Sequence, residues 1–273
     1  MSAASEITRR AKSNLAFALR ILPAARREDA IVFYAFCRSV DDLADDPGLS
    51  LESRQSALAD WNNGLRHGFP NPTGLQREIL ALRERHQLPT DLLSAIIDGC
   101  LSDLQAQRFG TWDDLCQYIW QVAGAVGLVS IRLFGCTDPA SAHYAVVLGQ
   151  ALQLTNILRD LNEDLANGGR IYLPLADLAR FGLSEADLLA RTHDARFSAL
   201  MGALADRADG LFREAAASLP AADRAALVPA RVMADIYQAI LGKMRADGFR
   251  VFEKRYRIGA ARKLAILSKH LIA

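Results

Sequence analysis

Apolar residues recur along the chain at helical spacing. Leu15, Leu19 and Leu22 form one such set and Leu75, Ile79 and Leu82 another, whereas strand-like alternation is rare. The pattern predicts an almost entirely α-helical protein. Its punctuation falls at Pro23, at Asp46-Pro47-Gly48, at 68–74, at Leu88-Pro89-Thr90, at Thr137-Asp138-Pro139, at Asn167-Gly168-Gly169, at Pro174 and at Pro220. These breaks divide the chain into roughly eight to ten helices. Composition does not shift across any break, and none is long or of low complexity. The expectation is one domain over residues 1–273, an all-α single helical bundle with its site inside, on facing helices.

Two acidic clusters violate the rules that the other segments obey. Asp41-Asp42-Leu43-Ala44-Asp45-Asp46 follows the apolar and aromatic run from Ile31 to Val40 and is closed by Pro47-Gly48, so it occupies the last turn of a helix. There Asp41 shares a face with Asp45, and Asp42 with Asp46, each like-charge pair costing roughly 0.2–0.5 kcal/mol. A helix C-terminus carries partial negative charge and favours Lys or Arg, so these carboxylates also oppose the macrodipole. The segment from Gln153 to Asp164 repeats the anomaly just before Asn167-Gly168-Gly169, with Asp160 and Asp164 on one face and Asn156 one turn earlier.

A solvated charged face is the plain alternative, with Arg38 paired to Asp42 and Arg159 to Glu163 at i,i+4. The same violation made twice, each time with an arginine just upstream, points instead to a missing cation. An oxygen-only ligand set suits a hard ion such as Mg²⁺, which takes one or two carboxylates and leaves its other positions to water and substrate phosphate. That combination implies a diphosphate. There is no D-x-D-x-D-G calcium loop, and no His or Cys accompanies the acids as a zinc site would require.

Charge and composition narrow the field. With 32 Lys plus Arg against 31 Asp plus Glu, the net charge of +1 gives no general pull toward nucleic acid or an anionic membrane, so any charge-driven chemistry is local. The basic tail from Lys254 to Lys269 is a candidate for contact with phosphate or membrane lipid, but such a charge run is usually a solvated helix face. Cys37, Cys100, Cys116 and Cys136 are far apart and read as reduced core residues of a cytoplasmic protein. The polar start of the chain does not resemble a signal peptide, and the apolar stretch from Val122 to Ile131 is too short for a bilayer span. His67, His86, His143, His193 and His270 lack metal-ligand spacing and are assigned no chemistry. Gly124 and Gly127 stand inside a helical run, where each glycine costs about 1 kcal/mol relative to alanine; close helix packing or a bend that opens space offsets that cost.

Tyr34-Ala35-Phe36-Cys37-Arg38-Ser39-Val40-Asp41-Asp42-Leu43-Ala44-Asp45, Gln153 to Asp164, and Gly169-Arg170-Ile171-Tyr172-Leu173-Pro174 together resemble the squalene and phytoene synthase family. The likeness covers nearly the whole chain, and Asp247-Gly248-Phe249-Arg250-Val251 brings it nearest to bacterial enzymes making presqualene diphosphate, squalene or hydroxysqualene. The resemblance implies the isoprenoid synthase bundle with a central cavity, and Mg²⁺-dependent condensation of two prenyl diphosphates. It matches Asp41, Asp45, Asn156, Asp160 and Asp164 to metal ligands, and Tyr34, Arg38, Gln153, Arg159, Arg170 and Tyr237 to substrate or diphosphate contacts. Tyr118 matches a tyrosine near the reacting carbons. Many members carry serines before the first proline. Here the aligned run is Lys12-Ser13-Asn14-Leu15, in which Lys12 and Asn14 are the phosphate candidates.

The resemblance further implies three Mg²⁺ ions with the bound diphosphate, and an apolar wall that keeps water from an allylic cation; Leu15, Leu19, Val122, Val126, Leu148 and Leu152 are candidates for it. The first expectation is two farnesyl diphosphates joined to presqualene diphosphate, with onward conversion to squalene open. The rivals are phytoene synthesis from two geranylgeranyl diphosphates, conversion of presqualene diphosphate to hydroxysqualene, and an inactive helical assembly factor. NADPH use stays open, since reductive members bind it without a G-x-G-x-x-G loop. So do oligomeric state and peripheral contact with the inner membrane face.

Overall fold

The computed structural model describes residues 2–11 and 13–272. Its helices are α1 (Ala3–Ala11), α2 (Asn14–Ala18) with a 3-10 turn (Leu19–Ile21), α3 (Ala24–Asp45), α4 (Leu51–His67), α5 (Gly74–Arg85), α6 (Thr90–Ser102), α7 (Trp112–Ile119) and α8 (Ala125–Phe134). They are followed by α9 (Ser141–Ala166), α10 (Leu175–Arg180), α11 (Glu185–Leu189), α12 (Ala195–Ala217), α13 (Val228–Ala246) and α14 (Ala260–Ile272). Among the described residues the single β pairing is an isolated bridge between Arg108 and Ile171. The all-α expectation therefore holds.

Every expected break falls at a helix boundary, yet the described residues form fourteen α-helices rather than eight to ten. The extra ends carry no proline. Capping boxes at Thr111 with Asp114 and at Ser184 with Asp187 start α7 and α11. Past the end of α11, Arg191 takes a positive φ of 55° where a glycine would be the expected signal, and past α13 Phe249, at 57°, follows Gly248 at 65°.

Two long helices organise the interior. The 26-residue α9 buries Leu154, Leu158 and Leu161 and packs against α8, α12 and α13, while α3 buries Phe33, Phe36 and Val40 and packs against α1, α4, α5, α6 and α8. Both end in the acidic motifs. Their C-termini meet: Asn167, just past α9, donates from Nδ2 to Asp45 Oδ1 at 3.1 Å at the end of α3.

The Gly124–Gly127 segment satisfies both of its readings. Between α7 and α8 the chain makes a π-helical turn, Trp120–Gly124, closed by the Ala125 N–H donating to Trp120 O. Such wide turns bend a helix, and they recur at functional sites. The neighbouring glycines also let backbones touch. A Cβ on Gly127 would lie 2.8 Å from Ala145 O, and one on Gly149 would lie 3.0 Å from Ala123 O.

This contact predicts a contrast between two substitutions. Gly127→Leu should destabilise the protein by about 1–3 kcal/mol, because backbone must move to admit the side chain. Gly202→Ala in α12, where an added Cβ meets nothing within 4 Å, should be neutral or stabilise by up to about 1 kcal/mol. Urea unfolding of the two variants checks the difference, and equal midpoints would remove the close-approach argument.

Candidate active site

A cavity of about 450 Å³ lies between α2, α3, α6, α8, α9 and α13. Its apolar wall includes all six residues expected there, Leu15, Leu19, Val122, Val126, Leu148 and Leu152. Its polar lining includes Asn14, Tyr34, Arg38, Asp41, Tyr118, Gln153, Asn156 and Tyr237. Lys12 lies outside the described residues. Cys37 and Cys100 also line the cavity, with the thiols pushed up by burial and by Asp41. The expectation of four core cysteines is thus corrected: only Cys100 is fully buried, and Cys37, Cys116 and Cys136 are partly buried.

Of the acids, Asp41 and Asp103 line the cavity, whereas Asp45, Asp160 and Asp164 lie outside its lining, at the C-terminal ends of α3 and α9. Arg38 donates from Nη1 to Asp41 Oδ2 at 3.0 Å and also pairs with Asp42, as the plain helix reading expects. Past the end of α9, Gly168 and Gly169 adopt φ of 72° and 69°, and this left-handed pair turns the chain back so that Arg170 points at the end of α3. Arg170 Nη2 donates to Asp45 Oδ1 at 2.9 Å and is 7% exposed. The turn is anchored by Ile171 N donating to Gln107 O at 3.1 Å and by Arg108 Nη1 donating to Gly169 O at 2.8 Å.

Asp160 and Asp164 differ in their surroundings although the sequence presents them alike. Arg159 grips Asp160 with Nε to Oδ1 at 2.8 Å and Nη2 to Oδ2 at 2.6 Å. Its guanidinium also lies 5.8 Å from the Tyr237 ring centroid, and it lines a side crevice rather than the main cavity. Arg255 adds a second grip on Asp160 at 2.9 Å and pairs with Glu163 at 2.9 Å. The expected Arg159–Glu163 helix pair is therefore replaced. The reading of 254–269 as one solvated helix face is corrected as well, because 254–259 is a loop that folds back onto acids and α14 begins only at Ala260.

Asp164 lacks such a grip. Burial, then the charge of Asp160, pushes its carboxyl up to about 8, with Arg170 opposing. Asp41 is pushed up to about 6 by its place in the protein concavity, against Arg38, with Asp45 and Asp42 adding repulsion. Asn156 supplies a further unmet group: its Nδ2 donates to Gln153 Oε1 at 3.2 Å, while its buried Oδ1 has no hydrogen-bond partner.

Asp103 is the site residue that sequence reasoning missed. It caps the C-terminus of α6 and accepts hydrogen bonds from Tyr118 (2.8 Å) and Tyr172 (2.7 Å). Burial raises its pKa, and the two phenols offset part of that rise. The Tyr118 and Tyr172 rings stack 5.2 Å apart, and burial together with Asp103 keeps the Tyr118 hydroxyl protonated. The signal was present in weak form, as a carboxylate at a helix C-terminus, the same anomaly that marks the two clusters.

These features fit divalent cations. The donors are oxygens, two carboxyls lack full compensation, and the Asn156 carbonyl is buried without a donor. Among the described residues no three Asp, Glu, His or Cys side chains converge on one point. Each ion would therefore take one or two side chains and complete its shell with phosphate and water, which is how Mg²⁺ binds.

Comparison with known proteins agrees with this geometry. The chain is 36% identical over 259 residues to presqualene diphosphate synthase of Rhodopseudomonas palustris, covering 93% of this chain and 91% of that protein. It is 33% identical over 261 residues to 15-cis-phytoene synthase of Synechocystis, covering 90% and 77%. A dehydrosqualene synthase crystal structure in complex with ligand superposes with a TM-score of 0.82 at 29% identity, over 98% of this chain and 94% of that one. Squalene synthase from Alicyclobacillus acidocaldarius superposes at 0.79 with 28% identity, over 90% and 93%. Residues 8–262 match the squalene/phytoene synthase family, and with acids, arginines and apolar cavity in these positions the chain belongs to that family of prenyltransferases.

Proposed function

We propose that the protein, as one isoprenoid-synthase domain, joins two farnesyl diphosphates head to head to give presqualene diphosphate. Head-to-head condensation of prenyl diphosphates by Mg²⁺-dependent enzymes is the family's reaction. The finer assignment to a C15 substrate rests on the depth of the cavity. Asn156 lies toward the acidic C-terminal end of α9 and Tyr144 toward its other end. Asn156 stands twelve positions after Tyr144 on the helix, about 18 Å at 1.5 Å per residue. Phe33, Phe134 and Tyr144 are bulky lining residues away from the acids, and in this reading they limit the length of chain admitted.

In this reading Asp41, Asp45, Asn156, Asp160 and Asp164 hold the ions, and Tyr34, Arg38, Gln153, Arg170, Tyr237 and Asn14 orient the substrates. Arg159 acts from behind by fixing Asp160. Mg²⁺, as three ions by family resemblance, supplies Lewis-acid neutralisation of charge on the departing diphosphate. The allylic cation left behind is attacked by the double bond of the second chain, and a proton is lost as the cyclopropane closes. The dry wall around Val122, Val126 and Leu152 protects that cation from water. Tyr118 presents its ring to the cavity while its hydroxyl is committed to Asp103. An apolar product also favours contact with a membrane surface. Onward reduction with NADPH is a separate question for the same assay.

Incubation with farnesyl or geranylgeranyl diphosphate and Mg²⁺, followed by product analysis with and without NADPH, tests the assignment. Presqualene diphosphate should form from the C15 substrate alone, and Tyr144→Ala should gain C20 turnover. Turnover of only the C20 substrate by the wild type would reject it.

The carboxyl of Asp164 generates a pH prediction. Its folded pKa of about 8 lies above its ordinary value of 3.8, so between those values the folded state holds a proton that the unfolded chain releases. Its contribution is present in full below the ordinary value and is lost as pH rises toward about 8. In EDTA, the melting temperature of Asp164→Asn relative to wild type should rise from pH 6 to pH 8.5. The gain from Mg²⁺ plus inorganic pyrophosphate should be larger for wild type at the higher pH, where no proton is displaced. A difference that stays flat with pH would count against the site.

Asn156 gives the complementary test. Asn156→Leu removes a buried, unpaired carbonyl, so in EDTA it should melt at or above the wild-type temperature. It should lose most of the stabilisation by Mg²⁺ and pyrophosphate, and at least about tenfold in kcat/KM. Unchanged stabilisation by the ions would remove Asn156 from the ligand set.

A further inference from the structure

A second hollow, of about 610 Å³, lies on the outer side of α1, α2 and the 3-10 turn, between them and the start of α14. It shares Ser13 and Leu19 with the catalytic cavity. Only a five-residue helix and one 3-10 turn separate the two hollows there.

The second hollow is lined by four cations, Arg9, Arg20, Arg27 and Lys263. None has a carboxylate partner among the described residues: Arg27 donates to the Arg20 carbonyl at 3.4 Å, and Lys263 lies 6.0 Å from the Phe17 ring centroid. Burial and the charge of Arg257 hold the Lys263 amine below its usual range, which marks positive charge without compensation. Thr8, 9% exposed, lines the same hollow, and its hydroxyl lacks any hydrogen-bond partner.

Leu264, which also lines the hollow, and Leu271 further along α14 are 55% and 64% exposed. Seven residues apart, they share one helix face, while Ile266 and His270 are buried on another. Exposed leucines beside unpaired cations are the chemistry of a helix that lies in a bilayer interface. A soluble phosphate would explain the cations but would leave the leucines without a role.

We propose that this hollow and the Leu264–Leu271 stripe form a docking surface for an anionic lipid bilayer. Lipid phosphates sit against Arg9, Arg20, Arg27 and Lys263, and the two leucines enter the acyl boundary. Docking there sets the wall that the two hollows share at Ser13 and Leu19 against the membrane, which gives an apolar product a short path into lipid. The link to product rests on the proposed condensation, but lipid binding needs no turnover, so the two readings fail separately.

The test is co-sedimentation of the full chain, without substrate, with vesicles of phosphatidylcholine alone or mixed with phosphatidylglycerol. Binding should require phosphatidylglycerol and weaken as NaCl rises. Arg20→Glu with Lys263→Glu should raise the lipid concentration for half-binding by about tenfold or more, with melting temperature and turnover of detergent-dispersed substrate unchanged. Leu264→Ser with Leu271→Ser, both at exposed positions, should also weaken binding and provides a second variant should the charge reversal fail to fold. Equal sedimentation with both vesicle types, or no effect of the leucine variant, would overturn the proposal. Release by millimolar inorganic phosphate at constant ionic strength would assign the hollow to a soluble anion instead.

Discussion

Mutual repulsion among carboxylates, confined at the C-terminal ends of α3, α6 and α9, is the constraint around which the site is organised. Arg170 stands at the meeting point, bonded to Asp45 and within the field of Asp103 and Asp164. The chain relieves the crowding in three ways. Asp160 is neutralised by two arginines, Asp103 accepts two phenol hydrogen bonds, and Asp41 and Asp164 are left to hold protons more tightly than usual. A fold that needed only stability would not keep such groups together. Their retention is the local cost expected where function needs charge poised for a ligand.

Helix polarity explains why cations must intervene. A phosphate group is held directly by the N–H groups of a helix N-terminus, where the dipole is positive. Here the cavity mouth sits at C-termini, whose carbonyls and acids repel phosphate. A diphosphate is welcome there only when divalent ions outweigh both. In the proposed reading the arrangement would orient the substrate as well, with the charged head at the acidic helix ends and the prenyl chain along α9 toward Tyr144.

The sequence carried the fold class, the breaks and both acidic helix ends because each is written in neighbouring residues. Periodicity, Pro47-Gly48 and Asn167-Gly168-Gly169 act within a turn or two. The roles of Asp103 and Arg255, and the partner of Tyr172, were not legible, since the contacts span distant positions: Tyr172 reaches Asp103 across 69 positions and Arg255 reaches Asp160 across 95. Both contacts depend on non-helical segments, one pinned by the Arg108–Ile171 bridge and the other by Tyr256, which donates to Asp247. The inequality of Asp160 and Asp164 was hidden for the same reason. It arises from what a distant loop brings to one of them.

That inequality has an energetic order. The Arg159–Asp160 pair is held on one helix with side chains 10% and 16% exposed, so separating them would strand a buried charge. Arg255 is 38% exposed and comes from a loop, and exposed ion pairs of that kind contribute little. A ligand competing for Asp160 therefore meets a cheap obstacle in Arg255 and an expensive one in Arg159. The first can swing aside, and the second keeps the carboxylate aimed while it does.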